Sequence, residues 1–383
     1  MQCLWIVYRA KCDVVDDMTE FRIADEGVDA EFRGEKIPYR IPDKTHRHVV
    51  VCQSRFFMYD KWQILFTILE LYRFYGVDLI AVYVESIIAE AYNILKAYQE
   101  RGFIAIHSAV KYENFEDLDY DPNRQTEWNQ QISAYQLCLY EYRETTDFII
   151  FGDWDEVLIP QNTTNLHEEL KILLEEFPNA AAFYFQRMQV SSYIPKQASS
   201  FNMADLLNTT MAFDHFGATK VVVVGNRVES MGVHKIWGKK PRTREVNLTT
   251  EYSKFLHFRE SGKRTCHDET CLLELFPTLN RTQLADNFTT FIDQEGLYSN
   301  FVKLPSDLVY SDSFRQCYIN ISTTLGHPEW GICPNNLFCS HPERAYAIPC
   351  VKLNIQFGRV VLREEVVVSY PKRTALYRNS DGC

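Results

Sequence analysis

Two hydrophobic periods alternate along the chain from His48 onward. The run HVVVCQ (48–53) is short, β-branched and bounded by polar residues, which is the pattern of a buried strand. In YDKWQILFTILELYRFYG (59–76), Trp62, Leu65, Phe66, Leu69 and Phe74 fall at helical spacing, with Glu70 and Arg73 between them. Gly76 stands where a C-terminal helix cap belongs. DLIAVYV (78–84) returns to strand, AEAYNILKAYQERG (89–102) repeats the helix with its closing glycine, and FIAIHS (103–108) is strand again. Helix-length crossovers between short strands predict an α/β fold with a mostly parallel sheet of right-handed βαβ units flanked by helices. A loop, a helix over 127–144 and a further strand, Phe148 to Phe151, follow. No internal repeat or low-complexity segment interrupts the pattern.

That last strand empties into Asp153, Trp154, Asp155 and Glu156, and the chain turns apolar again over Val157 to Ile159. Ligands of open parallel sheets bind beyond the carboxyl ends of the strands. Alternation along an extended segment puts Asp153 and Asp155 on one side and Trp154 on the other. Two carboxylates on one side can share a hard divalent cation and leave places for water or phosphate oxygens. Glu156 is then a neighbour that orients one of them. An isolated D-x-D triplet is commonly a solvated turn; here buried strand on both sides anchors it, which favours the metal reading.

Composition narrows the class. The 383 residues allow one large domain or two, and 46% hydrophobic with 24% charged residues is globular composition. A net charge of −11 argues against non-specific nucleic-acid binding, although HKIWGKKPRTR (234–244) is locally basic. Eleven cysteines, with Cys266, Cys271, Cys317, Cys333, Cys339 and Cys350 crowded into the last third, fit no common zinc spacing and predict disulfides in an oxidising compartment. Asn162, Asn208, Asn247, Asn280, Asn287 and Asn320 each open an N-x-Ser/Thr triplet, which also points to a lumenal chain. The opening MQCLWIVYRAKC has too short an apolar run for a signal or a spanning helix, and no window reaches the roughly 18 apolar residues a membrane helix needs. The expectation is a chain that starts downstream of its true anchor.

The residues that carry a resemblance span most of 48–260. VVVCQSRFFMYDKWQILFTILELYRFYGVDLIAVYVESI, AYQERGFIAI, NQQISAYQLCLYEYRETTDFIIFGDWDEVLIP, TKVVVVGNRVESMGVHKI and FLHFR together resemble glycosyltransferase family 92. The chain departs from that family's usual pattern at Arg55, where proline is common, and at Gly225-Asn226, where Arg-Pro is common. The resemblance implies a GT-A-like nucleotide-sugar fold, Mn²⁺ at a DXD motif, and a nucleotide-sugar donor such as UDP-galactose. It also implies a glycan acceptor and a membrane-anchored enzyme of the Golgi lumen. Its domain plan is a polar lead-in or stem remnant over 1–46, a catalytic domain over 47–300 and a Cys-rich extension over 301–383 packed on the core.

In that scheme Asp153 and Asp155 hold the metal and His234 is the third ligand, with His257 as the rival imidazole. Lys235, Lys239, Lys240, Arg242 and Arg244 are placed to meet the diphosphate. Asp205 and Asp214 are the candidate bases, and Gln53, Ser54, Tyr83 and Ser86 the candidate nucleoside contacts. The alternative is a secreted or lumenal binding protein that keeps the GT-A-like fold without turnover.

Overall fold

The computed structural model describes residues 17–22, 36–114, 116, 118–126, 130–249, 251–260, 273–325, 333, 335, 348–363 and 366–383. The first half runs β1 (Arg47–Gln53), α1 (Trp62–Phe74), β2 (Leu79–Val84), β3 (Ser86–Ile88), α2 (Ala89–Glu100), β4 (Ile104–Ser108), α3 (Gln131–Tyr142), β5 (Thr146–Gly152), β6 (Glu156–Ile159) and α4 (Leu166–Glu176). The second runs β7 (Ala180–Ser192), α5 (Met203–Asn208), β8 (Met211–Val224), β9 (Val228–Met231), β10 (Ile236–Lys239), β11 (Arg244–Asn247), β12 (Lys254–Glu260), α6 (Arg281–Gln294), α7 (Tyr298–Phe301), α8 (Val309–Leu325), β13 (Cys350–Arg363) and β14 (Val366–Asn379).

The expected α/β architecture is present. α1 and α2 both end in a glycine with positive φ, 75° at Gly76 and 76° at Gly102. In each case the next amide reaches back across the last turn: Val77 N donates to Tyr72 O at 3.0 Å, and Phe103 N donates to Tyr98 O at 3.0 Å. These are Schellman caps, and a side chain at either glycine would have to adopt a left-handed backbone.

The main sheet is ordered β4-β2-β1-β5-β8-β7-β12-β6, with β11 paired to β7. The pairings among β4, β2, β1 and β5 are all parallel, as the sequence pattern predicts. The other half is mixed: β8 lies antiparallel between β5 and β7, β12 is parallel to β7, and β6 is antiparallel to β12. β8 places Val221 to Val224 within the core, so this long strand is held by burial on both faces. A long β13–β14 hairpin adds to β3 as a separate three-stranded sheet.

Among the described residues, two disulfides have both partners placed. Cys350–Cys383 ties the chain end to β13, and Cys52–Cys138 joins β1 to α3 beneath the centre of the sheet. Cys317 and Cys333 are also disulfide-bonded, in line with the oxidising reading. Cys266, Cys271 and Cys339 lie outside the described residues. So does the start of the expected 127–144 helix. All six sequon asparagines are exposed.

The Cys52–Cys138 bridge closes a sequence separation of 86 residues. Replacing both cysteines with alanine is expected to lower unfolding free energy by about 2–5 kcal/mol in a guanidinium titration. An unchanged midpoint would show that the bridge contributes nothing to holding α3 on the sheet.

Candidate active site

β1 and β5 are adjacent and parallel, so their carboxyl ends open on the same rim. Beyond Gly152 the chain makes a tight turn instead of the extended segment expected from alternation. Glu156 N donates to Asp153 O at 2.9 Å, and Asp153 N donates to the Glu156 carboxylate at 2.9 Å. The two aspartates still face one cavity, because Trp154 is spent as the anchor. Its ring is buried and stacks on Phe56 with centroids 4.2 Å apart, and its Nε1 donates to Ser54 O at 2.5 Å.

A buried ion network fixes the turn from behind. Lys220 Nζ, 1% exposed, donates to Asp153 Oδ2 at 2.7 Å and lies 2.9 Å from Glu156 Oε2. Arg187 donates to the other Glu156 oxygen at 2.7 Å. Burial alone would drive the Lys220 ammonium toward neutrality, but Asp153 and Glu156 outweigh it and hold its pKa well above the ordinary value. The remaining Asp153 oxygen accepts from Gln131 Nε2 at 2.5 Å, and Tyr135, on the same helix, donates to Gly152 O at 2.9 Å. The Cys52–Cys138 bridge lies one turn further along α3.

Asp155 is left facing the cavity. β12 pairs with β6 so that His257 stands opposite Glu156, which brings His257 Nε2 to 3.4 Å from Asp155 Oδ2. Burial pushes the Asp155 pKa up, yet His257, Lys61 and Lys220 together more than offset it and hold the carboxyl far below the usual range. His234 lines the same cavity. Its Nδ1 is 3.1 Å from the Thr219 carbonyl, which can only accept, so the neutral ring carries its lone pair on Nε2. Burial and then Lys220 lower the His234 pKa, which favours that neutral form. Carboxylates with imidazoles are a donor set that suits Mn²⁺, and the ligand atoms of Asp155, Glu156 and His257 lie within 4.8 Å of one another. Glu156 is already saturated by Lys220 and Arg187, so Asp155 and His257 are the donors turned to the cavity.

The cavity measures ≈ 580 Å³, within the range of small-molecule sites. Arg55, Lys61, Arg187, Arg259 and Arg315 line it, against the carboxylates Asp153, Asp155 and Asp312. Arg55 is paired with Glu85 at 2.9 Å and Arg187 with Glu156 at 2.7 Å, so Lys61, Arg259 and Arg315 are the lining cations placed to meet a ligand's charge. Arg315 and Asp312 come from α8, whose first amides are capped by Asp60. Tyr310 N and Ser311 N donate to its carboxylate at 2.8 and 3.1 Å.

The other residues singled out from the sequence are placed differently. Ser54 lines the cleft. Gln53 is buried, and its amide nitrogen, correctly oriented, donates to Gly152 O and Asp153 O at 2.7 and 2.9 Å. Ser86 is also buried, with Oγ accepting from Met58 N at 2.7 Å. Tyr83 is enclosed in the core against His107. These three hold the rim from behind and do not line the cavity, because alternation turns them into the packed faces. Lys235 is exposed outside the cleft lining, and Lys239 pairs instead with Glu245 at 3.4 Å. Arg244 covers the Phe177 ring. Asp205 is exposed on α5, outside the lining, and the Asp214 side chain lies outside the described residues.

Lys220 and Arg187 are the principal residues that sequence reasoning missed. A signal for Lys220 exists: a lysine directly before four valines falls within a buried strand and must find a carboxylate there.

The acidic turn, the two imidazoles His234 and His257 and the basic side chains thus share one cleft at the rim of the sheet. The sequence profile of glycosyltransferase family 92 matches residues 47–302, and the chain belongs to that family. Three glycosyltransferase family 92 proteins of Caenorhabditis elegans are 28%, 21% and 23% identical to it, over 100%, 82% and 90% of this chain and 76%, 64% and 70% of their own lengths. Among solved structures, the WbbM bifunctional glycosyltransferase in its apo form matches with a TM-score of 0.26 and 13% identity. That match covers 49% of this chain and 32% of the other, too little to carry an argument.

Two outcomes follow from the charges. Lys220→Met leaves two carboxylates without their buried partner, and unfolding free energy should fall by about 3–5 kcal/mol in urea; a loss below 1 kcal/mol would mean the pair is solvated. Burial raises the Asp60 pKa from 3.8 to about 6. Its contribution is thus fully present below pH 3.8 and lost as pH rises through 6. Relative to Asp60→Asn, the wild-type protein should lose about 2 kcal/mol of stability between pH 4 and pH 7, read from denaturant titrations at each pH. Parallel pH profiles would reject the shift.

Proposed function

We propose that the cleft transfers a sugar, galactose in the leading reading, from a nucleotide-sugar donor such as UDP-galactose to a glycan acceptor, with a divalent cation such as Mn²⁺. Family membership makes the chain a glycosyltransferase. The observation that carries the finer reading is Asp155 beside His257 at a sheet rim whose cleft is lined by five cations.

Asp155 and His257 would hold the ion, with His234 in the same lining as a further imidazole and Asp153 adding charge under the control of Lys220. The ion supplies Lewis-acid stabilisation of the departing nucleoside diphosphate. The chain's own contribution is fixed charge. Arg259, Arg315 and Lys61 are placed to bind phosphate oxygens, and Arg187 reaches the cleft while clamped on Glu156. Asp312 is the lining carboxylate outside the acidic turn, so it is the base to test before Asp205, which lies outside the lining.

Disulfides and exposed sequons support a place in the secretory pathway, with the Golgi lumen as the proposed compartment. Among the described residues, no helix is long and apolar enough to cross a membrane. The polar lead-in, the catalytic domain over 47–300 and the C-terminal extension remain the proposed organisation, the last supported by pairing of β13 with β3.

The purified protein should release UDP from one member of a nucleotide-sugar panel only when Mn²⁺ is added. Asp155→Asn should lower that turnover at least about 100-fold with an unchanged unfolding midpoint. Full activity in that variant rejects the metal role. A folded wild-type protein inert toward every donor and acceptor would favour the binding-protein alternative.

A further inference from the structure

A second cluster of metal-binding side chains lies at the opposite end of the same strands. Asp147 opens β5 and stands beside His48 at the start of β1, as the pairings Arg47↔Thr146 and Val49↔Phe148 require. Asp147 and Asp153 are six positions apart along one extended segment, or about 20 Å. The cluster is therefore separate from the cleft.

Three of the chain's ten histidines converge on that one carboxylate. His48 Nδ1 is 2.9 Å and His167 Nε2 3.1 Å from Asp147 Oδ2, and His46 Nε2 is 3.3 Å from Oδ1. Each arrives by a local rule. His46 and His48 are two apart at a strand start and so share a side. His167 is in the first turn of α4, held by the Asn165 cap, whose Oδ1 accepts from His167 N at 2.8 Å. The His48 and His167 rings stack with centroids 4.1 Å apart. Stacked rings that both carried protons would repel, whereas two neutral rings sharing one cation would not.

We propose that His46, His48, His167 and Asp147 form a zinc-binding site at the end of the sheet remote from the cleft. The ligand atoms of His48, Asp147 and His167 already lie within 4.8 Å of one another. Ligands held about 2.0–2.1 Å from zinc at tetrahedral angles stand roughly 3.4 Å apart. The nitrogen–oxygen separations of 2.9, 3.1 and 3.3 Å lie close to that edge, so three ligands are preplaced and His46, outside the 4.8 Å group, closes on the ion by turning its exposed side chain. Three imidazoles with one carboxylate favour zinc over Mn²⁺, the reverse of the oxygen-rich cleft. His46 and His48 are exposed, so the ion can load from solvent. Once bound, it ties the start of β1 to β5 and to α4, and so acts as a clamp on the central strands.

The test is equilibrium dialysis of the metal-stripped full chain against zinc chloride, paired with thermal unfolding. Wild-type protein and Asp155→Asn should both retain zinc at the remote site, and zinc should raise the wild-type unfolding temperature. His48→Ala and His167→Ala should each weaken zinc binding at least about tenfold and abolish the thermal shift. His48 is exposed, so its variant keeps the fold even if His167→Ala does not. Zinc binding unchanged in His48→Ala, zinc binding lost only in Asp155→Asn, or no uptake at about 100 µM free metal would each overturn the proposal.

Discussion

The ammonium of Lys220, buried between Asp153 and Glu156, is the interaction on which the cleft depends. Taking three charges out of water costs several kcal/mol per ion, and only close pairing offsets it. Arg187 completes the balance on Glu156 from β7. β5, β8 and β7 therefore have to be neighbours for the acidic turn to exist in its present form. With two of the three carboxylates neutralised from below, Asp155 is left ionised and turned to the cavity.

The cleft is completed from the far end of the chain. Asp60, two residues before α1, caps α8, and α8 brings Asp312, Phe314 and Arg315 into the lining of the same cavity as the acidic turn. The β13–β14 hairpin and the Cys350–Cys383 bridge secure this C-terminal part against β3. A helix N-terminus held by a single buried carboxylate is a local joint, weaker than the packed sheet beneath it. Strand pairing makes the floor of the site rigid, while one side of its wall rests on that joint.

Legibility followed range. The strands and helices from His48 to Ser108, the two closing glycines and the acidic turn at a strand end all rest on interactions within a few residues, and they were readable. So was Trp154 as the buried partner of two outward aspartates, although the backbone there is a turn and not a strand. The basic run at 234–244 was a poor guide to phosphate contacts. Lys239 turns to Glu245 and Arg244 to Phe177, because β10 pairs with β9 in a separate two-stranded sheet and β11 pairs alongside β7. Gln53, Tyr83 and Ser86 were correctly near the strand ends, but side-chain alternation points them into the packing.

The sequence by itself determined the α/β class, the parallel half of the sheet and the position of the carboxylates, since hydrophobic period and turn chemistry are local properties. Only the tertiary structure decided which cations reach those carboxylates, which of two histidines stands beside Asp155, and that three more histidines meet Asp147 at the other end. Those meetings join residues tens to hundreds of positions apart. They are set by strand order and register, and neither is written in any short stretch of the chain.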